Sequence, residues 1–192
     1  VGAKYPLAEG YLYPGNYSFK PHTTPLQMLQ AMVARFKSET ASLNLVSAAR
    51  KAGFTPVQLI TEASILYAEV SNQPKYYPDV ARVIDNRLNQ GGTLNLDSTI
   101  EYGLGIHGFN MTVTQLHEDT PYNTNLHDGL PPGPIYSPDV AAIEAVLHPT
   151  PKTPTTEGWI YFVTINKAGV TKFTSSKAQF DIWSKEAARN GV

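Results

Sequence analysis

The chain of 192 residues contains no cysteine. It therefore has no disulfide framework, thiolate nucleophile or cysteine-ligated zinc centre. Charge is also sparse: Asp, Glu, Lys and Arg make up 16% of the residues, and the formal net charge is −1. Without a basic surplus or a polybasic run there is no electrostatic case for nucleic acid as a partner. No apolar run approaches the ~20 residues of a membrane-spanning helix, and no segment reads as a signal peptide. What remains is an ordinary globular composition, 42% hydrophobic, at a length suited to one well-buried domain. The chain opens on VGAKYPLAEGY without an initiator Met, as expected of a processed or excised domain.

The clearest helix lies in Thr55 to Glu69, TPVQLITEASILYAE. Thr55 suits the N-cap and Pro56 the first helical position, where its missing N–H costs nothing. Leu59, Ala63, Leu66 and Val70 recur at helical spacing and predict a core-facing stripe. Glu69 sits one turn beyond Ile65 and Leu66. A carboxyl above apolar side chains is desolvated, which raises its pKa toward the operating pH and makes it a general acid/base candidate. The alternative is a solvated Glu at a helix end, the commoner setting for that residue type.

Further helices are expected from Thr24-Pro25, with a stripe of Leu26, Leu29, Met32, Val33 and Phe36, and over Leu43 to Ala52, stopped by Gly53. Another covers Tyr77 to Asn89, with Val80, Val83, Ile84 and Leu88 on one face and Gly91-Gly92 at its end. Two more run from Pro138 to Leu147 and from Ser175 or Ser176 to Arg189. Trp159 to Ile165, aromatic and β-branched, is the clearest strand. Tyr5 to Tyr17 and residues 93–138 read mostly as loop.

Loops this long inside a compact domain are usually functional. Asp97, Ser98, Thr99, Tyr102, Tyr122, Asn123 and Thr124 offer hydroxyls and amides for sugar hydroxyls, with tyrosine faces for pyranose rings. Pro131, Pro132 and Pro134 stiffen the segment beside them. A plain connector rich in turn-forming Asn and Asp has the same composition. Glu9, in a tyrosine-rich stretch, suits either a substrate contact or a buried hydrogen bond to backbone amides. Arg87 suits pairing with a carboxylate or an acidic peptide, or equally a solvated helix end. Gly103 to Gly108 (GLGIHG) has the form of a dinucleotide fingerprint but lacks the preceding buried strand. His107, His117 and His127 recur every ten residues, a spacing that suits no metal geometry on one helix or strand, so no metal is expected.

Six ordered blocks resemble the endolytic murein transglycosylases of the YceG-like type. They are EGYLYPGNY (Glu9–Tyr17), ASILYAE (Ala63–Glu69), VIDNRL (Val83–Leu88), LNLDSTIEYG (Leu94–Gly103), YNTNLHDGLPPGPI (Tyr122–Ile135) and IYFVT (Ile160–Thr164). By this resemblance Glu69 matches the second acidic position of the family motif, the one assigned to catalysis. The first acidic position is Tyr67 here. Histidines common near the C-terminus of relatives are replaced by Thr171 and Phe180, which leaves no catalytic role for them. Relatives carry one N-terminal membrane helix and a LysM-like region, so this chain resembles the excised catalytic part, residues 1–192. Its full-length protein would sit on the extracytoplasmic face of the bacterial cytoplasmic membrane.

The resemblance implies cleavage of the β-1,4 bond between N-acetylmuramic acid and N-acetylglucosamine, with the muramic acid's own C6 hydroxyl closing a 1,6-anhydro ring. One carboxyl group, Glu69, serves first as acid and then as base. A conventional glycosidase uses two carboxyls, ~5–5.5 Å apart for retention or ~6.5–9.5 Å for inversion. Glu62 lies seven residues before Glu69, which puts their backbones ~10.5 Å apart at helical rise. That separation argues against a retaining pair but leaves an inverting one open, and Asp97 and Glu101 also remain as second carboxylates from the loop. The sequence thus predicts an α+β, helix-rich single domain with a small sheet and long ordered substrate-binding loops. It acts on peptidoglycan glycan strands without a cofactor, alongside penicillin-binding peptidoglycan synthases. The rivals are a non-catalytic glycan-binding or scaffolding domain and a two-carboxylate glycoside hydrolase.

Overall fold

The computed structural model describes residues 8–70, 73–106 and 111–192. Helix α1 (Pro25–Glu39) begins at a reciprocal cap, in which the Gln27 amide donates to Thr24 Oγ1 and the Thr24 amide donates to Gln27 Oε1. Thr55 and Gln58 form the same box at 3.2 and 2.9 Å ahead of the helix called α3 (Pro56–Val70). Between them, the single helix expected over 43–52 is divided. A 3-10 turn, Ala41–Leu43, precedes α2 (Leu45–Lys51), and Asn44 at the break takes a left-handed backbone with φ 49°. Helix α4 (Tyr77–Gln90) ends at Gly91. Helices α5 (Asp97–Leu104) and α6 (Val113–Leu116) follow, then α7 (Val140–Leu147), capped by Asp139. Strands β1 (Tyr161–Thr164) and β2 (Thr171–Thr174) form an antiparallel hairpin pairing Tyr161 with Thr174 and Thr164 with Thr171. Helix α8 (Lys177–Arg189), capped by Ser176, closes the chain against both strands. The α+β expectation holds.

Residues 93–138 are mostly loop, as expected, but the stretch also contains helix α5, which the sequence does not predict. Asp97, Ser98 and Thr99 are turn formers because their side chains compete for backbone hydrogen bonds. Here they fill the first turn of a helix whose Ile100 is fully buried. Gly103 lies inside the same helix, where glycine costs about 1 kcal/mol relative to Ala. Packing overrides that cost: a Cβ on Gly103 would lie 2.5 Å from Thr120 Oγ1 and 2.9 Å from Tyr122 Cβ.

Helix α3 is the centre of the core and packs against α2, α4, α5 and α7. Every residue from Leu59 to Leu66 is buried, so the expected stripe is in fact the whole circumference. Tyr77, Val80, Ala81 and Ile84 of α4 and Ala142, Ile143, Ala145 and Val146 of α7 complete this cluster. The stripe expected on α1 behaves differently. Phe36 is buried, while Leu26 and Leu29 are 65% and 44% exposed.

Polar side chains of α4 attach the hairpin layer to the helices. Arg82 Nε donates to the Thr150 carbonyl at 2.6 Å, and Arg87 Nε to that of Ile160 at 2.8 Å. Asn86 Nδ2 donates to the carbonyls of Thr156 and Trp159, both at 2.9 Å. Asn86 is buried, so Asn86→Ala strands acceptors that water reaches poorly. It should lower unfolding stability by about 2–3 kcal/mol in a denaturant titration. A loss under about 0.5 kcal/mol, the range of ordinary surface changes, would contradict this account.

Candidate active site

Glu69 stands on the last turn of α3, where the helix emerges from the core and the residue is half-buried. Its Oε1 accepts a hydrogen bond of 2.6 Å from the Ser98 hydroxyl, on the first turn of α5. Part of the residue still reaches solvent, yet desolvation of the carboxyl is the largest influence on it and raises its pKa. The Ser98 hydrogen bond and the Arg87 charge oppose that rise, while the negative charges of Asp97 and Glu101 add to it. The balance favours the protonated form above the usual carboxylate range.

Arg87 is the cation of this neighbourhood. Its guanidinium donates to the carbonyls of Ile160 and Leu94 and lies 5.9 Å from the centre of the Phe162 ring. Burial lowers its pKa, and the carboxylate of Glu69 pulls it back up. Arg87 is thus held by backbone carbonyls rather than left as a solvated helix end, with Glu69 as an electrostatic neighbour.

The two loops flanking this point are laced together. The Asn95 amide donates to the Thr124 carbonyl at 2.9 Å, and the Leu96 amide to Thr124 Oγ1 at 3.0 Å. Thr99 Oγ1 lies 2.8 Å from Thr124 Oγ1 and donates to the Leu96 carbonyl at 2.6 Å. Asn123 Nδ2 donates to the carbonyls of Leu116 and Glu118. Thr99, Asn123 and Thr124 are at most 1% exposed, so their polar atoms face the chain and hold the walls in place. Tyr122 is buried with its ring 4.8 Å from that of Tyr102, and the half-buried Tyr102 presents the more open face of the pair. Asp97 is exposed beside Ser98.

Glu9 joins the same region from the N-terminal segment. Burial raises its pKa, against hydrogen bonds from the Gly10 amide and the Ser137 and Tyr102 hydroxyls. Both sequence-based options remain compatible, because the carboxyl is half-buried and linked to a site tyrosine. Gly10 has φ 85°, and a Cβ there would lie 2.6 Å from Pro134 Cγ and 2.8 Å from Ile60 Cγ2. The segment is therefore clamped beneath the proline loop. Ser64 secures that loop from below by accepting the Ile135 amide at 3.0 Å. Neither Ser64 nor Ser137 was singled out in the sequence for this work, since an isolated serine carries no periodic or spacing signal.

Glu62 lies apart. It is 1% exposed, with its charge coupled to Asp85 and Arg82 of α4, and burial above all pushes its pKa up to about 8. A second carboxyl sealed against α4 is poorly placed to activate water beside Glu69. Gly103 falls inside α5 and Gly105 ends that helix, so the glycines close a helix where a dinucleotide motif opens one; Gly108 and His107 lie outside the described residues. His127 pairs with Asp119 at 2.7 Å on the surface, and among the described residues no cluster of three His, Asp or Glu could hold a metal. Among those residues, too, no helix is long and apolar enough to cross a membrane.

Residues 3–185 match the YceG-like family. The chain is 34% identical over 147 residues to the endolytic murein transglycosylase of Bacillus subtilis (strain 168), covering 76% of this chain and 40% of that protein. It is 31% identical over 172 residues to the endolytic murein transglycosylase of Streptococcus pneumoniae serotype 2 (strain D39 / NCTC 7466), covering 84% of this chain and 30% of that protein. It thus spans well under half the length of these curated relatives. A 2.6 Å crystal structure of a yceG-like protein from Listeria monocytogenes superposes with a TM-score of 0.79 at 30% identity, covering 91% of this chain and 55% of that one. With ordered sequence blocks, fold and family match in agreement, the chain belongs to the YceG-like family.

Proposed function

We propose that this chain is the catalytic part of an endolytic murein transglycosylase, with Glu69 as its only general acid and base. The observation that carries the reading is the Glu69 carboxyl, desolvated yet reachable, held by Ser98 at 2.6 Å between the α3 terminus and α5. Protonated Glu69 donates its proton to the glycosidic oxygen as the bond from the muramic acid C1 breaks. The resulting carboxylate takes the proton from the C6 hydroxyl as that oxygen bonds to C1. Atoms balance without water, and the acid ends as it began. The names of the relatives support murein as the substrate. Tyr102, Asp97, Ser98 and Glu9 line the approach, while Thr99, Tyr122, Asn123 and Thr124 support them from behind. Residues 1–192 form one catalytic domain in this reading. It works at the extracytoplasmic face of the membrane within a longer protein that serves cell-wall synthesis beside peptidoglycan synthases.

Digestion of purified glycan strands, followed by mass analysis of the ends, tests the reading. Anhydro-muramic ends are expected; reducing ends would indicate a hydrolase, and intact strands a binding domain. The Ser98 contact makes a further prediction. Its hydroxyl stabilises the ionised form of Glu69, so Ser98→Ala should raise the Glu69 pKa further. Because the reaction starts from the protonated acid, the alkaline limb of the pH–rate profile should move to higher pH. A limb that stays in place or moves down would exclude this role for Ser98.

A further inference from the structure

Around Arg87, whose charge Glu69 feels, lies a cavity of ≈ 460 Å³ between the end of α4, the 91–95 turn, β1 and α8. Its lining is basic although the chain as a whole is close to neutral. Lys and Arg number 15 against 16 Asp and Glu overall, yet the cavity is lined by Arg87 and Lys177 with no acidic residue among the described lining. Gln90 and Asn95 add amides, and Tyr161 stacks on Phe180 with ring centres 5.2 Å apart.

Both cations suit an anion from the substrate. The Arg87 side chain is fixed by the Ile160 and Leu94 carbonyls, so little conformational entropy is lost on binding. Lys177 is exposed and pairs with Asp181 one turn along α8. Such an exposed helical pair contributes little, so an incoming carboxylate can displace it. The backbone of a murein strand is neutral apart from its substituents. Its negative charge resides mainly in the carboxylates of the peptide attached to muramic acid, whose ring must lie at Glu69 for cleavage.

We propose that this cavity receives the carboxylate-bearing peptide of the muramic acid held at Glu69, with Lys177 and Arg87 as its counter-charges. The inference rests on the transglycosylase reading for its choice of substrate. The peptide then acts as a handle that presents one particular sugar to the acid, so strands stripped of peptide are weaker substrates through KM.

The test is a titration of the intact chain with a soluble muramyl peptide bearing free carboxylates, followed by NMR, beside the same peptide with its carboxylates methyl-esterified. Shifts are expected at residues 90–95, 160–161 and 177–180. Reversing one rim charge through Lys177→Glu, or adding one through Gln90→Glu, should weaken binding roughly five- to tenfold. Lys20→Glu, remote in sequence and exposed, should not. Absence of binding, equal affinity in the variants, or equal affinity for the esterified peptide would overturn the proposal. If the wild type binds the peptide but leaves strands intact, the cleavage reading fails while the cavity assignment stands.

Discussion

Glu69→Gln should reduce release of anhydro-muramic ends by roughly 100- to 10,000-fold, the range that general acid–base catalysis contributes. The amide matches the carboxyl in shape and can still accept from Ser98, so the fold should persist. It cannot deliver a proton to the glycosidic oxygen or take one from the C6 hydroxyl. Both halves of the proposed reaction are lost together. The loss should therefore appear in kcat with KM nearly unchanged, because the glycan-contacting side chains remain in place. Near-normal turnover would move the acid role to Asp97 or Glu101, the other carboxylates whose charge Glu69 feels.

A second large effect is expected at Glu62, and its direction depends on pH. In the folded chain the Glu62 pKa is about 8, against an ordinary value of 4.5. Between those values the unfolded chain releases a proton that the folded chain retains. Raising the pH across this window therefore favours unfolding, and the stability present below about 4.5 is lost by about 8. Glu62→Gln removes the ionisation. It should be roughly 2–4 kcal/mol more stable than wild type at pH 9 and within about 1 kcal/mol at pH 4, a range that allows for the amide's own unmet hydrogen bonds. Denaturant titrations at the two pH values check this. Parallel pH dependence in the two proteins would place the buried charge elsewhere. Among the described residues Glu62 Oε2 has no hydrogen-bond partner, which is consistent with a carboxyl that stays neutral in the folded chain.

These two glutamates illustrate what the sequence discloses. Thr55, Pro56 and the apolar spacing mark α3 before any coordinates are known, because capping and periodicity are local properties. The depth of α3 is not local. In the sequence Glu62 stands only as a possible second carboxyl to Glu69, and it is the enclosure of the helix by α2, α4, α5 and α7 that makes it a buried acid. Helix α5 is hidden for a related reason: Asp97-Ser98-Thr99 resembles a turn, and the partners that make it helical, Thr120 and Tyr122, lie far along the chain. Composition identified the hydroxyl- and amide-rich walls at 97–102 and 122–124, but it contains no information on side-chain direction. Thr99, Asn123 and Thr124 turn inward, where each satisfies backbone groups that a long loop would otherwise leave unpaired. Arg87 was legible as a charge at a helix end, but its two carbonyl partners were not.

That guanidinium has two duties that cannot be separated. It fastens the start of the hairpin layer at Ile160 and the turn before α5 at Leu94, and it is also the positive charge felt by Glu69. Any tilt of the hairpin relative to the helical bundle must drag this charge, so the proton affinity of the acid is geared to the posture of a neighbouring layer.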